Sequence, residues 1–280
     1  MVWDPLSGER HDAPVPSAFD QRRFRGAALL CDAGECHRPT PFRVVFTFID
    51  QRRRPCACVY SSLSGEWGEV VCGKTVIPHD LDLGLGLRHL DESISGEKIC
   101  AIDMKPPVLV GNVLYWLLVE NCILEFNMDA KSLAVNVISG PDLMYFLAPG
   151  WSLQIMLADG GSKLGFGAVK FLYLELWVRE SDSDSVDSWV MRRIIEPYMF
   201  LHPKVRQLEA HRLNQFMASS GLVGFTEDGS VVFLQTLIGV FMLQLDAMEF
   251  KLVLPMERLH WVYPYSGFYL TGTSVRDSSK

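Results

Sequence analysis

The chain has 280 residues, with 26 Lys and Arg against 33 Asp and Glu for a net charge of −7, and 49% of its residues are hydrophobic. That much apolar material can bury a sizeable core, and all-β barrels or propellers of this length form one domain. The negative balance, with no basic block, argues against sequence-independent nucleic-acid binding, which needs a Lys/Arg stripe to neutralise phosphates and release counterions.

The opening MVWDPLSGER has no charged segment followed by an apolar one, so no cleaved secretion signal is expected. Seven cysteines, at 31, 36, 56, 58, 72, 100 and 122, fall in the first half without framework spacing. Reduced, buried thiols are expected rather than disulfides. The longest apolar run, Val231 to Leu245, covers 15 residues and carries Gln235, Thr236 and Gln244. It falls short of the roughly 18 residues a membrane helix needs and reads as two strands. A cytoplasmic or nuclear chain with neither membrane nor nucleic acid as partner is the expectation.

In chain order, short aromatic and β-branched runs alternate with Gly, Asp, Asn and Ser turns, the signature of strands and hairpins. Pro41 to Val71 offers FRVVFTFI, a charged turn at Asp50 to Arg54, ACVYSS, and the turn Leu63-Ser64-Gly65 into EWGEVV. Val108 to Ile138 offers strands punctuated by Gly111-Asn112, Glu120-Asn121 and Asn127 to Lys131. Leu153 to Ile195 offers LQIML, the turn Asp159 to Ser162, KLGFGAV, YLELWV, an acidic turn Glu180 to Ser188, and WVMRRII. Leu213 to Leu254 offers GLVGF, the turn Thr226 to Ser230, VVFLQ, GVFMLQL, the turn Asp246 to Met248, and EFKLVL.

The closing motifs VWDPLSGE, VYSSLSGEW, LEFNMDAKSL, LWVRESDSDSVDSW and FMLQLDAMEF superpose with anchors at 4, 61, 127, 179 and 245, separated by 57, 66, 52 and 66. A degenerate period somewhat above 50 with four strands per unit predicts β-propeller blades, because a lone blade cannot bury both of its faces and stacking buries them. The alternative is an all-β sandwich with recurring turn signals. Residues 1–280 are thus expected to form one all-β, kelch-like propeller with four recognisable blades, incomplete or with a truncated first blade. The VWDP strand pair and HWVYPYSGFY near the end would contribute to a further blade. Two stretches fall outside the pattern: Cys72 to Pro107, expected to be a long irregular insertion, and Tyr198 to Leu213, which allows one short helix.

VWDPLSGER, the Cys36-His37 to Val45 stretch, ACVYSSLSGEWGEV and LVGNVLYWLL with ILEFNMDAKSLAV, in that order, resemble the carboxy-terminal propeller region of plant, grass-type F-box proteins. The resemblance covers nearly the whole chain except Cys72 to Pro107. It implies a receptor of the Skp1-cullin-F-box ubiquitin ligases, in which the F-box docks on Skp1 and the propeller receives the protein to be ubiquitinated. These 280 residues contain no F-box-like helical segment, and the VWDP motif already occupies residues 2 to 5. The sequence therefore resembles a truncated member, a gene-model fragment or a diverged paralogue, and Skp1 is not an expected partner. The expected function is that of a non-enzymatic module binding an unidentified protein target. A propeller enzyme, a carbohydrate binder or a non-functional truncated paralogue are the alternatives.

No catalytic, cofactor-binding or metal-binding residue is expected. Trp3-Asp4 is a WD dipeptide without a Gly-His partner in the later units. Cys31, Cys36 and His37 lack the four ligands of a zinc site and read as a loop before PFRVVF. Cys56 and Cys58 alternate on one strand and so share a face. Counting from Asp182, the acidic run with Asp184 and Asp187 has neither Gly at position six nor Glu at position twelve of a calcium loop. Gly84-x-Gly86 and Gly165-x-Gly167 lack the third glycine and the strand-to-helix setting of a phosphate loop. The histidines at 11, 37, 79, 89, 202, 211 and 260 show no triad spacing. Tyr115, Trp116, Trp177, Trp189 and Trp261 read as inter-blade core. Arg52, Arg53 and Arg54 form a basic cluster at a hairpin tip, where an acidic partner is the functional reading and a solvated turn the structural one.

Overall fold

The structure is a computed structural model that describes residues 1–3, 8, 10–16, 24–31, 41–52, 54–74, 105–118, 122–138, 152–170, 173–181, 187–196, 221–236 and 239–255. These residues form nineteen strands and no α-helix. A short hairpin, β1 (Val2–Trp3) with β2 (Arg10–His11), precedes four antiparallel sheets. The first sheet has β3 (Phe24–Cys31), β4 (Phe42–Ile49) and β5 (Pro55–Ser61), with β6 (Glu66–Trp67) and β7 (Val71–Cys72) both on the outer edge of β5. The second runs β8 (Val108–Val110), β9 (Val113–Leu117), β10 (Cys122–Asn127) and β11 (Ser132–Val137). The third runs β12 (Ser152–Ala158), β13 (Lys163–Lys170), β14 (Tyr173–Ser181) and β15 (Asp187–Ile195). The fourth runs β16 (Gly221–Phe225), β17 (Val231–Thr236), β18 (Gly239–Gln244) and β19 (Glu249–Pro255). Each sheet is a meander of sequence-adjacent strands, the blade of a propeller.

Packing between blades follows from strand period two. In β10, Cys122, Leu124 and Phe126 point to a core shared with Val45 and Ala57 of the first blade, while Ile123 points the other way to Ile155 and Phe166 of the third. A strand buried on both faces reads as the near-continuous apolar run that CILEF is. The third blade repeats the device: Phe166 and Trp177 pack toward the second blade, while Leu174 and Leu176 join Leu222, Leu234 and Leu243 of the fourth. Phe166 stacks on Trp177 at 5.8 Å and meets Trp189 edge-on at 4.8 Å. Trp116 and Trp177 are buried as inter-blade core, with Tyr115 and Trp189 packed against its margin, whereas Trp261 lies outside the described residues. Gly165 and Gly167 lie within β13 rather than in a phosphate loop. A Cβ at Gly167 would stand 2.6 Å from Cζ of Phe225, so the glycine makes the recess in which a ring of the fourth blade sits.

The 3–4 turns confirm the repeat at atomic level. Ser62 to Gly65, Met128 to Lys131 and Leu245 to Met248 are four-residue turns whose last residue has positive φ, 72° at Gly65, 47° at Lys131 and 54° at Met248. Their first amides donate to the facing 1–2 end of the same blade: Ser62 to Phe42 O, Met128 to Asn112 O and Leu245 to Ser230 O, at 3.0, 3.1 and 2.9 Å. Glycine serves this position in the first blade, but Lys131 and Met248 hold it against a cost of about 1–2 kcal/mol, so turn composition alone underestimates the repeat. The alignment anchored at 245 is one residue late, since Gln244 pairs Glu249 as Asn127 pairs Ser132. The β1–β2 hairpin belongs to the series. Trp3 faces Arg10 as Tyr60 faces Trp67, offset by 57 residues on both strands, and Gly8 has φ 74°.

Three expectations need correction. Strand β3 is the inner strand of the first blade, and it escapes pattern reading because FRGAALLC holds Gly26, Ala27 and Ala28 in place of β-branched residues. Cys31 accordingly ends a strand paired with Phe42 rather than lying in a loop. Within the stretch from Cys72 to Pro107, Cys72 pairs with Cys56 across β5 and β7, and the two are joined by a disulfide. Non-sequential strand pairing brings these thiols together, which spacing along the chain does not show. Cys56 and Cys58 share one apolar face with Phe48, as their alternation implies. Residues 75–104, 139–151 and 197–220 lie outside the described residues, as do Cys36, His37, Gly84, Gly86 and the histidines other than His11.

The disulfide closes a loop of sequence separation 16. Removing such a link costs about 3 kcal/mol in the chain-entropy account. The oxidised chain is therefore expected to melt several degrees above the Cys72→Ser variant, and equal melting temperatures would show that the link contributes nothing.

Candidate functional site

The 1–2 turns of the second, third and fourth blades and the 3–4 turns of the second and fourth lie at one end of the fold, beside the Ser181 and Asp187 ends of β14 and β15, and form a charged rim. Three links fix this. Met128 and Leu245 tie the two turns within the second and fourth blades. The Arg179 guanidinium bridges Glu125 of the second blade and Asp187 of its own. Gly229, in the 1–2 turn of the fourth blade, sits directly on the backbone carbonyl of Leu157, beside the 1–2 turn of the third.

Around these links the side chains alternate in sign. Lys163 lies 3.1 Å from Asp159 and 3.4 Å from Glu180, whose other partner is Arg192. Ser181 donates to Asp187 at 2.6 Å. Asp129, Lys131, Glu227, Asp228, Asp246 and Glu249 are exposed. Glu125 and Arg179 retain 17% and 19% of their side-chain exposure, which makes theirs the best-sheltered ion pair of the rim. Burial, with the Glu125 charge adding to it, pushes the nearby Tyr115 hydroxyl above its ordinary value.

Two carboxyls of the rim are held below the ordinary 3.8. The Thr226 hydroxyl first, then the Ser230 amide, lower Asp228; the Ser181 hydroxyl first, then Arg179, lower Asp187. A depressed folded value stabilises the fold above the unfolded value near 3.8 and ceases to do so as the pH falls through the folded one. Asp228→Asn is expected to melt below the parent at pH 7, by less than about 1 kcal/mol because the group is solvated. The gap should narrow as the pH falls below the unfolded value and close once it is below the folded one, and a gap constant from pH 7 to acid would contradict the assignment.

Asp187, the last member of the acidic run, is thus engaged by Arg179 and Ser181, while Asp182 and Asp184 lie outside the described residues. At the opposite end of the first blade, Asp50 absorbs one of the three clustered arginines. Its Oδ2 accepts from Arg54 Nε at 2.9 Å and its Oδ1 from the Arg52 and Arg54 amides at 2.9 and 2.8 Å. Burial opposes ionisation there, and the Arg54 contacts outweigh it, holding Asp50 low. Asp50, Cys56 and Cys72 come together with ligand-type atoms within 4.8 Å. The disulfide and the Arg54 clamp occupy those atoms, so the trio does not fit a metal ion. Burial raises the Cys58 thiol to about 11, which disfavours its thiolate as a nucleophile. His11 contacts the Tyr60 hydroxyl at 2.7 Å and packs against Phe42, seating the first hairpin on the first blade.

No protein-family profile and no curated protein sequence matches the chain. Among solved structures it is similar to the complex of the fission yeast SREBP-SCAP binding domains, at 10% identity and TM-score 0.39 over 93% of this chain and 56% of that one. It is also similar to the WD40 domain of SCAP from fission yeast, at 10% identity and TM-score 0.33 over 84% and 56%. A third likeness is to the Dos1 propeller, at 10% identity and TM-score 0.37 over 95% and 56%. The chain thus spans 56% of the length of each. Blade topology and register, rather than these likenesses, carry the fold. No helix among the described residues is long and apolar enough to cross a membrane.

Proposed function

We propose that the chain is a non-enzymatic, kelch-like protein-binding module, a cytoplasmic or nuclear counterpart of the substrate-recognition part of a Skp1-cullin-F-box receptor. The observation that supports the binding role most is the rim itself. Tight turns, each pinned by a backbone hydrogen bond or a cross-blade contact, present exposed charges from three blades on a scaffold that needs no rearrangement. Such dispersed loop residues on a rigid frame suit recognition of a protein surface. The receptor assignment rests on the resemblance of the VWDPLSGER, VYSSLSGEW and ILEFNMDAKSL motifs to the F-box family.

Capture of binding proteins by the immobilised chain tests the role when paired with two variants. Reversing Asp159, Asp228 and Asp246 to Lys should abolish specific capture, whereas Arg52→Glu at the other end should leave it intact. Capture indifferent to the rim would contradict the proposal. Purified Skp1 should form no saturable complex with these 280 residues, and one that did would overturn that part of the reading.

A further inference from the structure

The Cys56–Cys72 disulfide fastens a very short strand to the edge of the first blade. Strand β7 meets β5 at two positions, Cys72 opposite Cys56 and Val71 opposite Ala57, and just beyond them the Gly73 amide donates to Pro55 O at 2.8 Å. What this strand covers is larger than itself. Val71 packs against the core between the first and second blades, which includes Val45, Ala57 and Leu133. A Cβ at Gly73 would stand 2.7 Å from the Leu133 carbonyl oxygen on β11, so the chain leaving β7 lies directly on the backbone of the second blade. Strand β7 thus closes a seam between two blades, at the Asp50 end of the first blade and away from the rim.

Cys56 is wholly buried and Cys72 only half-buried, so a thiolate from solution reaches the sulfur of Cys72 first. Cys58, packed on the same face, does not reshuffle the link, because burial pushes its thiol up to about 11 and keeps it protonated. We propose that the Cys56–Cys72 disulfide is a reversible redox latch that clamps β7 into the seam between the first and second blades when oxidised and releases it, with the blades still folded, when reduced. The co-reactant is a small thiol of the glutathione class. Its thiolate attacks Cys72 Sγ, a mixed disulfide forms, the Cys56–Cys72 bond breaks, and Cys56 leaves as a thiolate that takes up a proton. A second thiolate attacks the small-molecule sulfur of the mixed disulfide. Cys72 then leaves and is protonated, and the two small thiols depart as their own disulfide, having passed two electrons to the protein. The reverse sequence closes the latch. Its use in the cell rests on the cytoplasmic or nuclear placement proposed above, where disulfides are usually transient and redox-sensing.

Hydrogen–deuterium exchange on the full chain, equilibrated in buffers of reduced or oxidised glutathione, tests this. The link should open in excess reduced glutathione without denaturant and re-form in oxidised glutathione. Opening should speed exchange at residues 71–73 by about tenfold or more, while β9, β10 and β13 keep their protection. Cys72→Ser should exchange at these residues like the reduced parent in both buffers. A link that survives excess reduced glutathione, exchange at residues 71–73 unchanged by reduction, or exchange that rises equally through the central strands would each overturn the latch. Capture by the rim is a separate readout, and its failure would strike the binding role while leaving the latch standing.

Discussion

Gly229→Ala is expected to destabilise the chain by roughly 2–5 kcal/mol, whereas Gly65→Ala should cost about 1–2. Both glycines have positive φ, 71° and 72°, so the conformational penalty of adding a Cβ is the same. Their surroundings differ. At Gly65 nothing lies within 4 Å of the added atom, while at Gly229 the atom would overlap the Leu157 carbonyl oxygen of the neighbouring blade. Backbone cannot step aside as a side chain does, so the fourth blade would have to withdraw from the third. Denaturant unfolding of the two variants checks this, and equal losses would mean that the fourth blade's turn does not rest on the third.

Arg179→Ala should cost roughly 1–3 kcal/mol, between the small value of an exposed pair and the larger one of a buried pair, because it strands Glu125 in a sheltered crevice. Glu125→Gln should cost less, since the amide still accepts a hydrogen bond and Arg179 keeps Asp187. In a double-mutant cycle Glu125 and Arg179 should couple by about 1 kcal/mol or more, and a coupling near zero would remove the ion pair as a link between the second and third blades.

The blades were largely legible because their central strands bury both faces, as CILEF and FRVVF show, and because turns such as Thr226 to Ser230 use residues that favour reversal. What stayed hidden was non-local. Gly26, Ala27 and Ala28 gave β3 no strand signature, although pairing with β4 imposes one. Lys131 and Met248 occupy left-handed turn positions by tertiary constraint. Cys72 meets Cys56 only once β7 folds back on β5. The rim was less legible still: Glu125 and Arg179 stand 54 positions apart on strands of different blades, and only blade packing joins them.

The central claim is that consecutive sheets pack face to face as blades. Methyl nuclear Overhauser effects test it most directly. Contacts should link Leu174 or Leu176 with Leu222, Leu234 or Leu243, and separately Leu117 or Ile123 with Leu153 or Ile155. Methyl contacts confined within single sheets, with none between these sets, would contradict the propeller.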